Sequence, residues 1–265
     1  MSENAPSASI SRVALVTGGG QGLGRATAEM LRRNGMTVVL ADIDGTLAER
    51  TAVELTATRD ANGATVTSIP LDVADEASVL RAFAKVGEQH GRLDVLINSA
   101  GVLGLIDGKR PLVEDMTLAA WRRTLDVNLT GTFLCCRAAI PLMKRHQWGR
   151  IVNLTSRAAR MRTGPGNAHY AASKIGIVGF SRVLAGEVGP SGITVNCIAP
   201  SGVLTAMTSA VAHAKEYLER SIAQTPVGRL ATPEDVANAI AFVCSDAASF
   251  ITGSVIDVNG GSFMA

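Results

Sequence analysis

The chain has 265 residues, 47% hydrophobic and 18% charged, enough to bury roughly 70–75% of the surface an unfolded chain exposes and too apolar to remain disordered. Its 25 basic and 23 acidic residues give a formal charge of +2 and are spread along the chain, which excludes the electrostatic footprint of a nucleic-acid- or anionic-membrane-binding protein. Four cysteines without CxxC spacing exclude a disulfide framework and a zinc site, and read as small buried hydrophobes in a reducing compartment.

In chain order, the opening MSENAPSASIS has neither a basic n-region nor an apolar h-region, so it reads as neither a signal nor a transit peptide. Residues 1–10 are expected to fray. No apolar run approaches the ~18 residues of a membrane span, and the expected location is the cytoplasm. From Val13 onward, short apolar runs alternate with longer amphipathic stretches, the pattern of repeated strand–helix units. Strands are predicted at 13–17, 37–41, 65–71, 93–97, 150–154, 193–198 and 255–258. Helices are predicted at 23–34, 46–62, 76–90, 118–144, 168–188 and 234–245. Runs such as TVVLA and LDVLIN are apolar at successive positions, as in parallel strands covered by helices on both sides. The expected fold is therefore α/β, a three-layer αβα, Rossmann-type doubly wound parallel sheet of about seven strands. No linker or composition break divides 11–265, so one domain is expected. The stretch 205–225 departs from the rhythm: a polar, helical insertion stands where a short connection would suffice. Beside the carboxyl ends of the strands it is a candidate substrate cover, with Met207, Val211 and Tyr217 as apolar contacts.

Two patterns carry chemistry. The first strand–helix junction reads VALVTGGGQGLGRATAEML, with Gly18, Gly22 and Gly24 at the turn. Glycines there let backbone amides approach a pyrophosphate at the helix N-terminus. Asp42 follows Gly24 by eighteen residues and closes the second strand, where a carboxylate can hydrogen-bond the ribose hydroxyls of an adenine dinucleotide. Asp42 and Asp44 both also precede a helix, so either can cap it; the ribose role is assigned to Asp42. The second pattern is Tyr170-Ala-Ala-Ser-Lys174, in a chain with only two tyrosines. On a helix these i and i+4 side chains share a face, and an ammonium near a phenol favours phenolate, which suits proton exchange near neutral pH. His90, His146, His169 and His213 show no metal-ligand spacing, so no catalytic metal is proposed. His169 points away from its neighbour Tyr170 on a helix and reads as structural. Arg157, Arg160 and Arg162, between Ser156 and Tyr170, are either solvated or turned to an anionic substrate group.

These residues in this order resemble the single-domain short-chain dehydrogenases/reductases. Thr17-Gly18-Gly19-Gly20-Gln21-Gly22-Leu23-Gly24 is similar to that family's TGxxxGxG loop, and Tyr170 with Lys174 to its YxxxK pair. Asn98-Ser99-Ala100-Gly101 stands where the family has Asn-Asn-Ala-Gly, and Pro200 to Thr205 resembles its P-G-x-x-x-T segment. The resemblance spans roughly residues 12–261 and implies an oxidoreductase, NAD-dependent, that interconverts a small-molecule secondary alcohol and a ketone. It implies Tyr170 as general acid/base, Lys174 as the group that lowers the tyrosine pKa and binds the nicotinamide ribose, Ser156 as a donor to the substrate oxygen, and Asn128 as holder of a relay water. Ile43 beside Asp42 and the pair Asp72 and Val73 are implied around the adenosine, with Asn98, Ala100, Gly101, Pro200, Val203 and Thr205 around the rest of NAD. A homotetramer built on the helices 118–144 and 168–188 is also implied. Three departures stand out: Ser99 for the second Asn, Ser201 for the Gly after Pro200, and thirteen residues between Ser156 and Tyr170, about one more than the family's usual spacing. The alternatives are an NADPH-linked 3-oxoacyl thioester reductase, against which Gln21 speaks because the glycine loop then often carries a basic residue, and a silent dinucleotide-binding sensor, against which the intact Asn128, Ser156, Tyr170 and Lys174 set speaks.

Overall fold

The computed structural model describes residues 11–58, 63–162, 167–205 and 214–264. The predicted tail at 1–10 lies outside them, as do Met207, Val211 and the side chain of Tyr217. Seven parallel strands form one sheet: β1 (Val13–Thr17), β2 (Thr37–Asp42), β3 (Val66–Pro70), β4 (Val95–Asn98), β5 (Gly149–Leu154), β6 (Ile193–Pro200) and β7 (Val255–Val258). Their order is β3-β2-β1-β4-β5-β6-β7, the doubly wound arrangement expected from the alternating apolar runs.

Strand side chains alternate between faces, and the two faces carry separate cores. One buries Leu15, Val39, Leu96 and Ile151 under α3 (Glu76–His90), α5 (Gly131–Lys144) and α6 (Ala168–Val188), through Val79, Phe83, Leu134, Leu142 and Leu184. The other buries Val16, Val38, Leu40, Ile97 and Val152 under α1 (Gly22–Arg33), α2 (Gly45–Ala57) and α8 (Pro233–Cys244), through Ala28, Leu31, Ala48, Leu55, Val236 and Ile240. Strands buried on both faces explain why the sequence shows continuous apolar runs.

Several boundaries differ from expectation. The helix predicted over 118–144 divides into α4 (Leu118–Leu125), a π-type turn Asp126–Thr130 and α5. The strand expected from residue 93 starts at Val95, because the Asp94 carboxylate turns back to accept from Val13 N at 2.8 Å and from the Arg92 guanidinium. The second helix stops at Ala57 rather than 62. At α8, Thr232 and Asp235 form a reciprocal capping box, which fixes the start one residue before the predicted 234. The insertion contains α7 (Ala214–Ala223).

The first turn of α1 lies against β1 at backbone distance. A Cβ on Gly24 would stand 2.1 Å from the carbonyl oxygen of Gly18, and neither backbone can yield. Gly24→Ala is therefore expected to cost more than about 3 kcal/mol, lowering Tm by roughly ten degrees in a calorimetric scan; a change under about two degrees contradicts the close packing.

Candidate active site

The carboxyl ends of the central strands open into a cleft of about 310 Å³. Its dinucleotide end is built from backbone. Gly18 holds φ +64° with its Cα so near β4 that a Cβ would be 2.9 Å from Ala100 Cα, and Gly22 holds φ +56°. Gln21 is the N-cap of α1 but makes no side-chain cap bond, and no acidic residue sits in the first turn. The first-turn amides, which an α-helix leaves without partners, therefore face the cleft without a side-chain cap, a cradle suited to an anionic pyrophosphate. Residues present here fit a dinucleotide.

Asp42 lines the cleft, and its carboxylate accepts from Gly20 N at 3.0 Å and from Asp44 N at 3.2 Å. The cap of α2 falls to Asp44, which accepts from Leu47 N at 2.9 Å. Asp44 thus takes the cap, and Asp42 stays on the cleft lining. Asp72 forms a local turn by accepting from Ala74 N at 3.0 Å, which presents Val73 beside it on the cleft wall with Leu71 and Val127. Arg123, on the same face of α4 one turn before Val127, also lines the cleft; its place after an ordinary helix start gives no signal in the sequence.

The chemical end is built from side chains on α6. Lys174 is buried, donates from Nζ to the carbonyl of Leu154 at 2.7 Å, and lies 5.7 Å from the centroid of the Tyr170 ring. Burial pushes its pKa down to about 8. Both residues line the cleft with Thr155, whose hydroxyl donates to the Lys174 carbonyl at 2.9 Å. Thr155 was not singled out from sequence, although it directly precedes Ser156. The Ser156 hydroxyl oxygen accepts from Ala158 N at 3.1 Å, an arrangement that leaves its own hydrogen for donation.

Asn128 lies on the π-type turn, fully buried. Its Nδ2 donates to the Val102 carbonyl and to Ser173 Oγ, each at 3.0 Å, and its Oδ1 accepts from Val102 N at 2.8 Å. A Cβ on Gly101 would sit 3.2 Å from that Oδ1 and 3.6 Å from Lys174 Nζ, so Asn128 and Lys174 both stand against Gly101 on the cleft wall.

Of the residues singled out from sequence, Gly18, Gln21, Gly22, Leu23, Gly24, Asp42, Ile43, Asp72, Val73, Ala100, Gly101, Tyr170, Lys174 and Thr205 are brought together around one cleft. Asn98, Asn128, Ser156, Pro200 and Val203 are not on its lining. Asn98 is buried on β4 and donates to Asn153 Oδ1 at 2.8 Å. Val203 is buried and pairs with Ala231. Ser201 is not among the described residues with positive φ, and Gly202 beside it takes φ +57°. Ser99 retains the backbone link of its position by donating from its N–H to Thr17 Oγ1 at 3.1 Å. In the arginine loop, Arg160 pairs with Asp257 at 3.3 Å and lies over the Phe263 ring, while Arg162 is exposed. Among the described residues, no group of three or more His, Cys, Asp or Glu is placed to hold a metal, and no helix is long and apolar enough to cross a membrane.

A family model described as enoyl-(acyl carrier protein) reductase matches residues 18–262. The chain is 36% identical over 252 residues to the 3-oxoacyl-[acyl-carrier-protein] reductase FabG of Aquifex aeolicus (strain VF5), covering 95% of this chain and 97% of that protein. It is 39% identical over 254 residues to the short-chain reductase protein NovJ of Streptomyces niveus, covering 94% and 93% respectively. The crystal structure of levodione reductase matches with a TM-score of 0.87 at 33% identity, over 94% of this chain and 96% of that one. Sheet order, glycine cradle, tyrosine–lysine pair and these likenesses agree: the chain belongs to the short-chain dehydrogenase/reductase family, oxidoreductases that act on CH–OH groups with a nicotinamide dinucleotide.

Proposed function

We propose that the protein is an NAD-dependent oxidoreductase interconverting a secondary alcohol and a ketone. The observation that carries this reading is the pairing of Tyr170 with the buried ammonium of Lys174 on the wall of a cleft whose other end is the glycine cradle. When bound, the dinucleotide supplies hydride-level oxidation or reduction. Tyr170 Oη gives a proton to the carbonyl oxygen in reduction and takes one from the alcohol in oxidation. Lys174 stabilises the phenolate that this exchange requires, because a positive charge beside a phenol favours its ionised form. Ser156 donates its hydroxyl hydrogen to the substrate oxygen as charge develops there. Asn128 holds the cleft wall through Val102, and with both Nδ2 hydrogens engaged any relay water would have to donate to its Oδ1. Pro200, Val203 and Thr205 are assigned to the nicotinamide end, and Asn98 acts from below by fixing β4.

NAD rather than NADP is supported by Asp42, a carboxylate on the cleft lining at the position that the family resemblance implies for the adenosine ribose. A 2′-phosphate about 4 Å from it, at an effective dielectric of about 20, meets a repulsion on the order of 4 kcal/mol per unit charge. A quarter of that is a preference of about fivefold. A second reading, NADPH-linked reduction of a 3-oxoacyl thioester, is favoured by the name of the Aquifex aeolicus relative. Of the three loop arginines, Arg160 is engaged by Asp257, which leaves Arg157 and Arg162 for an anionic group on such a substrate. A panel of secondary alcohols with NAD and 3-oxoacyl thioesters with NADPH, read by the absorbance of the reduced nicotinamide, separates the two readings. Four free, buried cysteines suit the cytoplasm. Exposed Phe133 on α5 and Ile175 and Val183 on α6 suit a homotetramer, and a monomer in sedimentation velocity would overturn that assembly.

Three outcomes are expected. kcat/KM for NAD exceeds that for NADP by at least about fivefold, and Asp42→Ala narrows the gap; equal use of NADP by the wild type would overturn the cofactor assignment. Tyr170→Phe lowers kcat by at least about a hundredfold while NAD still binds in a direct titration, and a kcat within threefold of wild type sinks the mechanism. Lys174 supplies a pH signature. Its folded pKa of about 8 lies below the ordinary lysine value, so the buried charge costs stability at and below neutral pH, by about 3 kcal/mol from the size of the shift. That cost fades as pH rises from about 8 towards the unfolded value. The Tm of the wild type relative to Lys174→Met should therefore increase between pH 7 and 10 in calorimetric scans, and a difference independent of pH contradicts the buried ammonium.

A further inference from the structure

His169 was read from sequence as a structural neighbour of Tyr170; the structure gives it more to do. Its imidazole is fully buried in the first turn of α6. Nδ1 accepts from the backbone N–H of Tyr170 at 2.9 Å, and Nε2 lies 2.9 Å from the carbonyl oxygen of Gly104. A ring nitrogen that accepts from an N–H carries no proton, and a carbonyl can only accept, so the ring is the neutral Nε2–H tautomer donating to Gly104. Gly104 is pressed between two helices: at φ +67°, an added Cβ would be 2.3 Å from His169 Nε2 and 2.3 Å from Thr124 Oγ1. Two residues earlier, Val102 on the same loop is held by Asn128, which also bonds Ser173 Oγ. Ser173 Oγ in turn donates to the Tyr170 carbonyl at 2.8 Å. Both backbone groups of Tyr170 are thus wired to the loop after β4, its N–H through His169 to Gly104 and its C=O through Ser173 and Asn128 to Val102.

We infer that His169 is a positioning residue that fixes the Tyr170 phenol against the cleft wall formed by Ala100, Gly101 and Val102. The inference rests on Tyr170 being the proton-exchanging group proposed above. A group that must meet a reacting oxygen loses rate steeply with small displacements, and the first turn of α6 needs such an anchor because the first amides of a helix have no partners within it. His169 supplies that partner from its own Nδ1 and carries the restraint across to the loop.

Three substitutions separate its two bonds. His169→Gln keeps a donor long enough to reach Gly104, His169→Asn keeps only an acceptor near Tyr170 N, and His169→Leu keeps neither. kcat is expected to fall about ten- to a hundredfold in the Leu and Asn variants, with Kd for NAD within about threefold of wild type, and Gln should recover most of the loss. A second readout needs no substrate. With Tyr217→Phe as background, only Tyr170 contributes a phenolate absorbance, and its titration midpoint should rise in the Leu and Asn variants as the ring leaves Lys174, and stay near wild type in Gln. Variants that keep kcat and this midpoint while losing only Tm would overturn the inference, as would an Asn variant no slower than Gln. If the wild type binds no dinucleotide and turns over no alcohol or ketone, the reading of Tyr170 fails instead, and the absorbance titration still reports whether His169 places the ring.

Discussion

The cleft depends on one hydroxyl. Thr17 Oγ1, at the end of β1, accepts from the backbone N–H of Ser99 and of Ala100, both at 3.1 Å, where the chain leaves β4. Chain leaving β1 enters α1 on one face of the sheet, and chain leaving β4 runs to α4 and α5 on the other. Such a fork is where open α/β sheets bind ligands, because the diverging connections leave a crevice at the carboxyl ends of the strands. Here the fork is so tight that a Cβ on Gly18 would stand 2.9 Å from Ala100 Cα. Both walls are therefore set from a shared point, and their separation does not depend on long side chains.

The chemical end needs a different kind of support, because it contains a buried cation. A chain of buried amides supplies it: Asn98 Nδ2 donates to Asn153 Oδ1, and Asn153 Nδ2 donates to Ser181 Oγ, each at 2.8 Å. These bonds run from β4 through β5 to α6. Ser181 lies seven residues, about two turns, after Lys174 and so on the same helix face. Fixing Ser181 against Asn153 therefore sets the rotation of α6 that aims Lys174 at the Leu154 carbonyl on β5. These directional bonds specify such a register more sharply than apolar packing, which tolerates rotation, although Asn98 Oδ1 at the end of the chain is buried without a partner.

The central strands were legible in sequence because burial on both faces favours near-continuous apolar runs. The glycine loop and the Tyr170–Lys174 spacing were legible because each imposes a residue type at a fixed offset. What escaped was set by tertiary contact. Nothing in DVNLT announces a π-type turn, since its mostly weak helix formers would equally suit an ordinary helix end; the extra residue in the turn carries Asn128 into the interior, where it meets Val102. Asp94 and Ser173 look like ordinary strand and helix positions until their partners, Val13 and Asn128, arrive from 81 and 45 residues away. His169 is the clearest case, because helical geometry correctly sends its side chain away from that of Tyr170, while its ring bonds the Tyr170 backbone and reaches the Gly104 carbonyl, 65 residues away.

Backbone geometry also governs where the fold tolerates change. The insertion that carries α7 joins the sheet through the Val203–Ala231 bridge and the bond from Val227 N to the Gly260 carbonyl at 3.1 Å. Gly202, Gly228 and Gly260 around this base hold φ of +57°, +77° and +59°, a region that side chains rarely adopt. Gly260 is also enclosed, since a Cβ there would lie 2.6 Å from Thr225 Cγ2. The base is thus fixed by conformation, whereas the outer surface of α7, with Lys215, Glu216 and Glu219 exposed, is constrained by little packing. Changes of residue on the outer surface of α7 therefore leave the Thr17 fork and the Asn98–Asn153–Ser181 chain undisturbed, because those contacts lie in other parts of the fold.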